Sequence, residues 1–434
     1  MKPDSVPQTE AEKIVIVGAG PAGLLLAHYL LQRGNCRITL FDKLTDPDEQ
    51  VLISQRTFPI SLQSRGLEAL RPIPGLENKV IQSGTWSQGT LLYTKGGVRK
   101  IPARSPLLLT HRNRLTQILL SELRSQYSRD QFTIEFKARC TDLNDQEQWV
   151  RLENKQGEQR TEYYDKLVAA DGAHSAIRKL LAQRQHLSSS LKEVPNVYRN
   201  LTIQCSMERQ MQAVSAEHIH VWNLGRKARL MVVPQGEDIL RGTLISPHDQ
   251  DPLDAFQSAE DLQSFLQKKC PELSSLIDLT AARQLFNQPV ARNLTVHCDR
   301  MHSGKNILLL GDAVHAVSAS IGQGCNASLQ DVMVFIRILQ ECHGDWATAL
   351  ETLTQRHLPN AHALRELSDY SYPQSGWLNF EFIVRVTLGR KLAPWIPSLA
   401  KPLPSVLVAN SSSPYSEVLE QTRWWTERVR KSQH

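Results

Sequence analysis

The feature that most limits the possible fold is the stretch KIVIVGAGPAGLLLAHYL, residues 13–30. Its first part, Ile14 to Val17, is rich in β-branched residues and predicts a short buried strand. From Leu24 onward the residues predict a helix, and three glycines in the spacing G-x-G-x-x-G separate the two elements. Such a turn lets a pyrophosphate approach backbone amides and the helix N-terminus. The glycines are Gly18, Gly20 and Gly23.

A second predicted strand, Arg37 to Phe41, ends in Asp42, 24 positions after Gly18. An acid at about this distance binds a ribose hydroxyl in dinucleotide sites. The sequence therefore predicts an α/β protein with a Rossmann-like nucleotide-binding domain. The alternative is a glycine-rich turn in an unrelated α/β fold.

A second candidate site follows the apolar run Ile307 to Leu310, which predicts another buried strand. Asp312 comes at the end of this strand, and the turn Gly322-Gln323-Gly324 precedes a predicted helix. The turn allows backbone to approach a ligand, and the helix N-terminus offers unpaired N–H groups to an electron-rich group. An ordinary strand–loop–helix connection is the alternative for this stretch alone.

Two more junctions place charged residues at the ends of predicted strands. Asp171 ends the apolar run Lys166 to Ala170, and Arg112 lies where a short strand enters an amphipathic helix. An arginine at a helix start opposes the helix dipole, so it is easier to explain if it meets a phosphate or a ribose. An Asp-Gly pair such as Asp171-Gly172 is otherwise only a turn signal.

The middle of the chain, residues 195–300, contains four successive strand-like runs, and helices follow residue 346. His220 and Trp222 are alternate residues of one run, so they share a face, where packing is their favoured role. Two helices are predicted in this part, Ala347 to His357 and Ala361 to Tyr370. The terminal helix has an apolar stripe at Tyr415, Val418, Leu419, Trp425 and Val429.

Composition excludes several classes of protein. The 434 residues carry a formal charge of only +6 and no long basic run, which argues against nucleic-acid binding. Seven scattered cysteines without a C-x-x-C pair indicate reduced thiols, a cytoplasmic setting and no metal site. No apolar stretch reaches the ~18 residues of a membrane span, although the C-terminal helices leave peripheral membrane contact possible.

Three separated motifs together resemble those of the FAD-dependent aromatic monooxygenases of the para-hydroxybenzoate hydroxylase fold. They are GAGPAG with Asp42, DGAHSAIR at 171–178, and GDAVH…GQGCN at 311–326. Within that family the chain is most similar to the kynurenine hydroxylases, through RTFPISLQSRG at 56–66 and HIHVW at 218–222.

The resemblance implies a discontinuous FAD-binding domain, 13–190 and 285–345, after a disordered segment 1–12. An antiparallel-sheet substrate region, 60–110 and 191–284, is inserted into it, and 346–434 forms a C-terminal helical region. It also implies that the adenosine and pyrophosphate side of FAD is bound by Gly18, Gly20, Gly23, Asp42, Arg56, Arg112 and Cys140. Asp312 would bind the ribitol, and backbone amides of Gly324, Cys325 and Asn326 would bind the flavin ring. Asp171 would belong to a segment shared by FAD and NAD(P)H.

The chemistry implied by the resemblance is borne by the flavin. NAD(P)H is a transient co-substrate, and O₂ gives a flavin hydroperoxide that hydroxylates a small electron-rich aromatic, with a kynurenine-like molecule as the first candidate. The protein would place the ring and exclude water. The alternatives are a related monooxygenase or epoxidase of a more apolar or isoprenoid substrate, and a non-catalytic FAD-binding protein.

The chain departs from the family at three places. Ala319, with Ser320 and Ile321, stands beside the flavin where the family has proline. Kynurenine hydroxylases bind the substrate carboxylate with an Arg and a Tyr. In this chain Gly89 or Thr90 corresponds to the Arg, and Ala103 corresponds to the Tyr. Arg99 and Arg104 are the alternative residues for this role. A pocket phenylalanine of that group corresponds to Ala228.

Overall fold

The computed structural model describes residues 11–49, 59–103, 105–234, 238–373, 375–392, 395–396, 399 and 401–432. Most of the predicted disordered segment, 1–12, lies outside these residues, and the first strand begins at Glu12. Within the described residues the strands are β1 (Glu12–Val17), β2 (Cys36–Asp42), β3 (Pro59–Leu62), β4 (Thr85–Trp86), β5 (Gly89–Thr94), β6 (Gly97–Pro102), β7 (Leu108–His111), β8 (Phe132–Phe136), β9 (Arg139–Asn144), β10 (Trp149–Glu153), β11 (Gln159–Tyr163), β12 (Lys166–Ala169), β13 (Ser189–Gln204), β14 (His218–Gly225), β15 (Ala228–Val233), β16 (Ile239–Pro247), β17 (Ala291–Cys298), β18 (His302–Ser303) and β19 (Ile307–Leu309).

The α-helices of the same residues are α1 (Pro21–Arg33), α2 (Ser64–Leu70), α3 (Leu76–Gln82), α4 (Arg112–Gln126), α5 (Ala176–Gln183), α6 (Met207–Ala213), α7 (Ala259–Lys269), α8 (Leu279–Asn287), α9 (Asp312–His315), α10 (Gly324–Glu341), α11 (Trp346–Tyr370), α12 (Gly376–Leu392), α13 (Pro404–Asn410) and α14 (Tyr415–Lys431). None of them is long and apolar enough to cross a membrane.

A six-stranded sheet brings the predicted motifs to one edge. Its order is β18-β19-β12-β1-β2-β8, and every pair except β18 with β19 is parallel. Because parallel strands end at the same edge, the residues after β1, β2, β12 and β19 lie side by side there. That edge therefore carries Gly18, Asp42, Asp171 and Asp312.

A seven-stranded sheet, in the order β17-β13-β16-β15-β14-β5-β6, forms the second layer. One of its faces packs on α7 and α8 in a separate hydrophobic core. Trp222 belongs to this core and stacks on Tyr93 with 4.4 Å between ring centroids, while its Nε1 donates to Glu272. His220 accepts or donates at Nδ1 with the Tyr93 hydroxyl. Packing, the favoured role of Trp222 and His220, is confirmed.

The opposite face of this sheet turns toward the C-terminal helices. Tyr372, just beyond the end of α11, lies near Arg229 of β15. Earlier in α11 the carbonyl of Ser368 accepts from the hydroxyls of Ser318 and Ser320, which precede α10. One helix thus connects this sheet face with the turn that begins α10.

Helix α11 is continuous through Pro359, where two helices are predicted. Side chains on both sides of the proline are bound, His357 to Asp331 and His362 to the Cys298 carbonyl. Strand β8 pairs with β2 in the parallel sheet, and β17 pairs with β13 in the seven-stranded sheet.

Candidate active site

The turn after β1 leaves no room for a side chain at Gly18. An added Cβ would lie 2.3 Å from the carbonyl oxygen of Ala170, and the residue has φ +112. Its N–H donates to the Phe41 carbonyl at 2.7 Å, so the turn is bound to the strands on both sides. Helix α1 starts directly after it, and its first-turn N–H groups face the turn. This is a cradle that can hold a phosphate.

Asp42 organises the same turn. Its Oδ2 accepts from Ala19 N and its Oδ1 from Leu44 N, both at 2.7 Å. Each oxygen keeps a second lone pair for a ligand hydroxyl.

Arg112 is the first residue of α4 and reaches over the glycine turn. Its Nη2 lies 3.2 Å from the position that a Cβ on Gly20 would take. The guanidinium is exposed, so its donors are directed to the space above the turn. The glycine turn and the Arg112 guanidinium border the same space. A phosphate in this space would meet the arginine, as the sequence predicts for an arginine at a helix start.

Asp171 lies beside Gly18, whose added Cβ would be 2.7 Å from Asp171 N. Its Oδ2 accepts from Ala176 N at 2.6 Å, whereas Oδ1 is buried without a hydrogen-bond partner within the described part of the chain. Burial raises the pKa of this carboxyl, and the Ser175 hydroxyl and the amides of the following helix oppose the shift. An unsatisfied carboxylate oxygen at the sheet edge fits a ligand donor.

Cys140 is buried on β9 near Asp171. Burial and the Asp171 charge raise the pKa of its thiol to about 12, so it is a neutral wall. Arg178, in the same motif as Asp171, is buried and donates to the carbonyls of Ala313 and Ala173. It holds the second acidic motif against α9 and is not available to a ligand.

Asp312 begins α9 and faces the start of α10. Its Oδ1 is 4.0 Å from the position of a Cβ on Gly324. The intrahelical bonds of α10 begin with Ala327 N to Gln323 O, so the amides of Gly324, Cys325 and Asn326 form its open first turn. An acid beside open amides can bind a ligand that carries both hydroxyls and electron-rich atoms.

Asp312 is exposed but surrounded by protein. Burial raises the pKa of its carboxyl, and the positive charges of His315 and Arg112 oppose the shift. Cys325 is partly exposed, and burial together with the Asp312 charge raises the pKa of its thiol to about 12. Such a carboxyl at the surface of a cleft can contact a ligand that displaces its water.

Asn326 uses its side chain away from this cleft. Its Oδ1 accepts from Gln63 N at 2.8 Å, and its Nδ2 donates to the carbonyls of Ser61 at 2.8 Å and Gly322 at 3.1 Å. Only its backbone is free to contact a ligand in the cleft. The preceding segment Ala319–Ile321 forms a short 3-10 turn held by α11 through Ser320.

A buried histidine–aspartate–histidine group beneath Asp312 was missed by the sequence analysis. Asp331 accepts from His315 at 2.5 Å, from His357 at 2.8 Å and from Gly311 N at 2.9 Å. Burial alone would lower the pKa of His315, but the Asp331 carboxylate raises it, and the histidines in turn lower the pKa of Asp331 against its burial. The available signal was an acid, Asp331, on the apolar face of the helix that follows the glycine turn.

The structure thus brings Gly18, Gly20, Asp42, Arg112 and Asp171 to one end of the cleft, and Asp312, Gly324 and Cys325 to the other. Gly23 packs under the first turn, where a Cβ would meet Gly18 O at 2.1 Å. Arg56 and Arg104 lie outside the described residues. Ala228, at the position that corresponds to the family's pocket phenylalanine, is buried in the core shared with α7 and α8. Among the described residues, no group of three or more His, Cys, Asp or Glu could hold a metal ion.

Residues 11–367, more than half of the 434-residue chain, match the family model described as FAD binding domain. The chain belongs to the FAD binding domain family. Kynurenine 3-monooxygenase of Sus scrofa is 25% identical over 429 residues, which cover 95% of this chain and 86% of that protein. The protein of the same name from Salinispora tropica is 28% identical over 427 residues, 95% of this chain and 91% of that one.

Solved structures share the fold. The tetrameric form of 2-methyl-3-hydroxypyridine-5-carboxylic acid oxygenase superposes with a TM-score of 0.66 at 19% identity, covering 97% of this chain and 98% of that one. Pseudomonas aeruginosa PqsL, in complex with 2-aminobenzoylacetate, gives 0.63 at 20% identity, covering 83% and 95%. The predicted fold class and enzyme class are confirmed: the chain is a FAD-dependent monooxygenase, with FAD as cofactor and NAD(P)H as co-substrate.

Proposed function

We propose that this monooxygenase hydroxylates a small electron-rich aromatic that carries an anionic group, with kynurenine as the first compound to test. The relatives named kynurenine 3-monooxygenase support the aromatic class. The observation that supports the proposal is a buried arginine, Arg241, on the face of the seven-stranded sheet opposite α7 and α8.

We propose that the residues of the cleft hold FAD as the resemblance implies. In this proposal the turn of Gly18, Gly20 and Gly23 and the Arg112 guanidinium hold the pyrophosphate. Asp42 holds the adenosine ribose, and the Cys140 backbone borders the adenine. Asp312 binds the ribitol, and the first-turn amides of α10 hold the ring. Asp171 offers its open oxygen to the segment shared by FAD and NAD(P)H.

Bound FAD supplies the redox chemistry, because it accepts hydride from NAD(P)H and activates O₂. The protein's part is to orient the aromatic ring and to exclude water. The carbonyl of Ser368 accepts from the hydroxyls of Ser318 and Ser320, and these bonds keep the segment Ala319–Ile321 against α11. This segment closes the cleft beside the ring without the proline that the family has there.

The face of the seven-stranded sheet opposite α7 and α8 supports an aromatic substrate. Cross-strand partners on this face share one row, because paired residues of neighbouring strands point the same way. One such row is mainly apolar and runs across five strands: Leu92, Val221, Met231, Thr243 and Asn200.

The neighbouring row introduces a charge. Arg241 pairs there with Val233 and Thr202, lies two positions before Thr243, and is 5% exposed. A guanidinium has five N–H donors and binds carboxylates bidentately. In this proposal Arg241 uses part of this fork to bind a carboxylate of the substrate.

Arg99 is another arginine on this face, at the outer end of the apolar row, where it pairs with Leu92. It is exposed on the edge strand β6. An exposed arginine holds a carboxylate less strongly than a buried one, because water screens the interaction. Arg99 is therefore a matched control for Arg241.

The test measures NADH and NADPH oxidation by the purified yellow protein with kynurenine and with 2-aminoacetophenone, which keeps the aminophenyl ketone but lacks the amino-acid group. We expect kynurenine to stimulate oxidation and to give a hydroxylated product. Arg241→Met should raise KM for kynurenine about tenfold or more while changing KM for the neutral ketone by about twofold or less. Arg99→Met should have the smaller effect.

Two results would overturn this proposal. Stimulation by neutral arenes or isoprenoid lipids, with none by anionic aromatics, would favour the more apolar substrate class. An equal rise in KM for the charged and the neutral compound in Arg241→Met would mean that Arg241 supports the sheet and does not bind the substrate.

A further inference from the structure

Gln323, the residue before the first turn of α10, is fully buried and uses both ends of its side-chain amide. Its Nε2 donates to Gln63 Oε1 at 2.7 Å, and its Oε1 accepts from the Tyr415 hydroxyl at 2.9 Å. Tyr415 is the first residue of α14, so a hydrogen bond joins the C-terminal helical region to the turn beneath the ring site.

Tyr415 is itself held firmly. The guanidinium of Arg65 lies 4.4 Å from the centroid of its ring and donates to the carbonyls of Val408 at 2.7 Å and Ser413 at 2.6 Å. Both arginine and tyrosine are buried. Burial raises the pKa of the Tyr415 phenol, so the hydroxyl remains a donor throughout the working pH range.

The other end of the network holds both sides of the turn. Gln63 N donates to Asn326 Oδ1, and the Asn326 amide donates to the carbonyls of Ser61 and Gly322. The residues Gly322 to Asn326 are thus bound at Gly322, Gln323 and Asn326. The bond between Asn326 and Gly322 closes the turn itself, and the others lead to Gln63 at the start of α2, to Ser61 of β3 and to Tyr415 of α14.

We propose that Tyr415 is a positioning residue for the flavin: its hydroxyl, acting through Gln323, sets the position of the backbone amides of Gly324 to Asn326. The C-terminal helical region therefore controls how tightly the ring is held and how polar its surroundings are. This inference rests on the proposed placement of the ring at that turn, but it does not depend on the identity of the substrate.

The experiment uses the full chain and compares Tyr415→Phe with Thr422→Val. Thr422 is buried in the same helix, and its hydroxyl donates to the Val418 carbonyl within α14. Each change removes one buried hydroxyl, but only the first is linked to Gln323. We expect Tyr415→Phe to raise the FAD dissociation constant about tenfold, because the side-chain Oε1 of Gln323 loses its hydrogen-bond donor. It should also shift the visible absorption band of the bound flavin, whereas Thr422→Val should change neither.

A double-mutant cycle tests the route. Gln323→Met removes both bonds of the amide at nearly the same volume, so Tyr415→Phe should add no further loss of FAD affinity in that background. Full additivity of the two changes would overturn the inference, as would equal effects of Tyr415→Phe and Thr422→Val on FAD binding. FAD affinity and absorption are measured without substrate, so failure of the kynurenine assay leaves this test unaffected.

Discussion

Replacing Gly18 by alanine should disable the nucleotide turn, and Gly34→Ala provides the matched control at the other end of α1. Both glycines have positive φ, +112 and +77, so alanine is strained at either position by about 1–2 kcal/mol. At Gly34 a Cβ meets nothing within 4 Å, and strain is the whole cost.

At Gly18 the new Cβ would also meet three backbone atoms: Ala170 O at 2.3 Å, Ala170 C at 2.5 Å and Asp171 N at 2.7 Å. Backbone of two paired strands cannot move aside as a flexible side chain can, so overpacking adds about 1–3 kcal/mol. The expected loss for Gly18→Ala is thus about 2–5 kcal/mol, a large part of the ~5–15 kcal/mol that stabilises a typical protein.

Urea unfolding of the FAD-free proteins measures the loss, and the FAD content of the purified proteins measures the effect on the cradle. We expect a lower urea midpoint for Gly18→Ala than for Gly34→Ala, together with little bound FAD in Gly18→Ala only. Equal midpoints in the two variants would refute the reasoning, because the contacts at Ala170 and Asp171 would then cost nothing.

Two further predictions concern the other end of the cleft. The raised pKa of His315 means that its ion pair with Asp331 stabilises the fold fully below about pH 6.5 and less as pH rises through the raised value. The difference in unfolding free energy between the native protein and His315→Gln should therefore shrink from about pH 6 to about pH 9, and a constant difference in urea titrations would contradict it. Asp312→Asn should weaken FAD binding about tenfold to about a hundredfold, since a charged acceptor is lost. The same change should leave the FAD-free protein equally or more stable, because burial raises the pKa of Asp312 and its charge is unfavourable there; undiminished FAD binding in a titration would contradict the site assignment.

The nucleotide end of the site could be predicted from sequence because its signals are local. Gly18 and Asp42 each lie at the end of a strand of the parallel sheet, and parallel pairing brings such ends together. Arg112 follows β7 of a separate antiparallel sheet, and its signal was the positive charge at a helix start. The contacts of Asp331 with His357 and of Gln323 with Tyr415 join helices that are distant in the chain, and no spacing rule connects them.

The two helices predicted on either side of Pro359 form one helix for a related reason. The local cost of a proline inside a helix is about 3 kcal/mol, and a local pattern contains no information on the tertiary contacts that offset it. In this chain the helix is bound on each side of the proline, by His357 to Asp331 of α10 and by His362 to the Cys298 carbonyl of β17.

The continuity of α11 restricts how such a chain can change during evolution. Each residue of an α-helix turns the next by about 100°, so one inserted or deleted residue between Ser368 and His357 would rotate the two contact surfaces relative to each other. Ser368 would then face away from Ser318 and Ser320, or His357 from Asp331. Residues on the sheet face opposite α7 and α8 can therefore change by substitution, whereas the length of this helix has to be inherited unchanged.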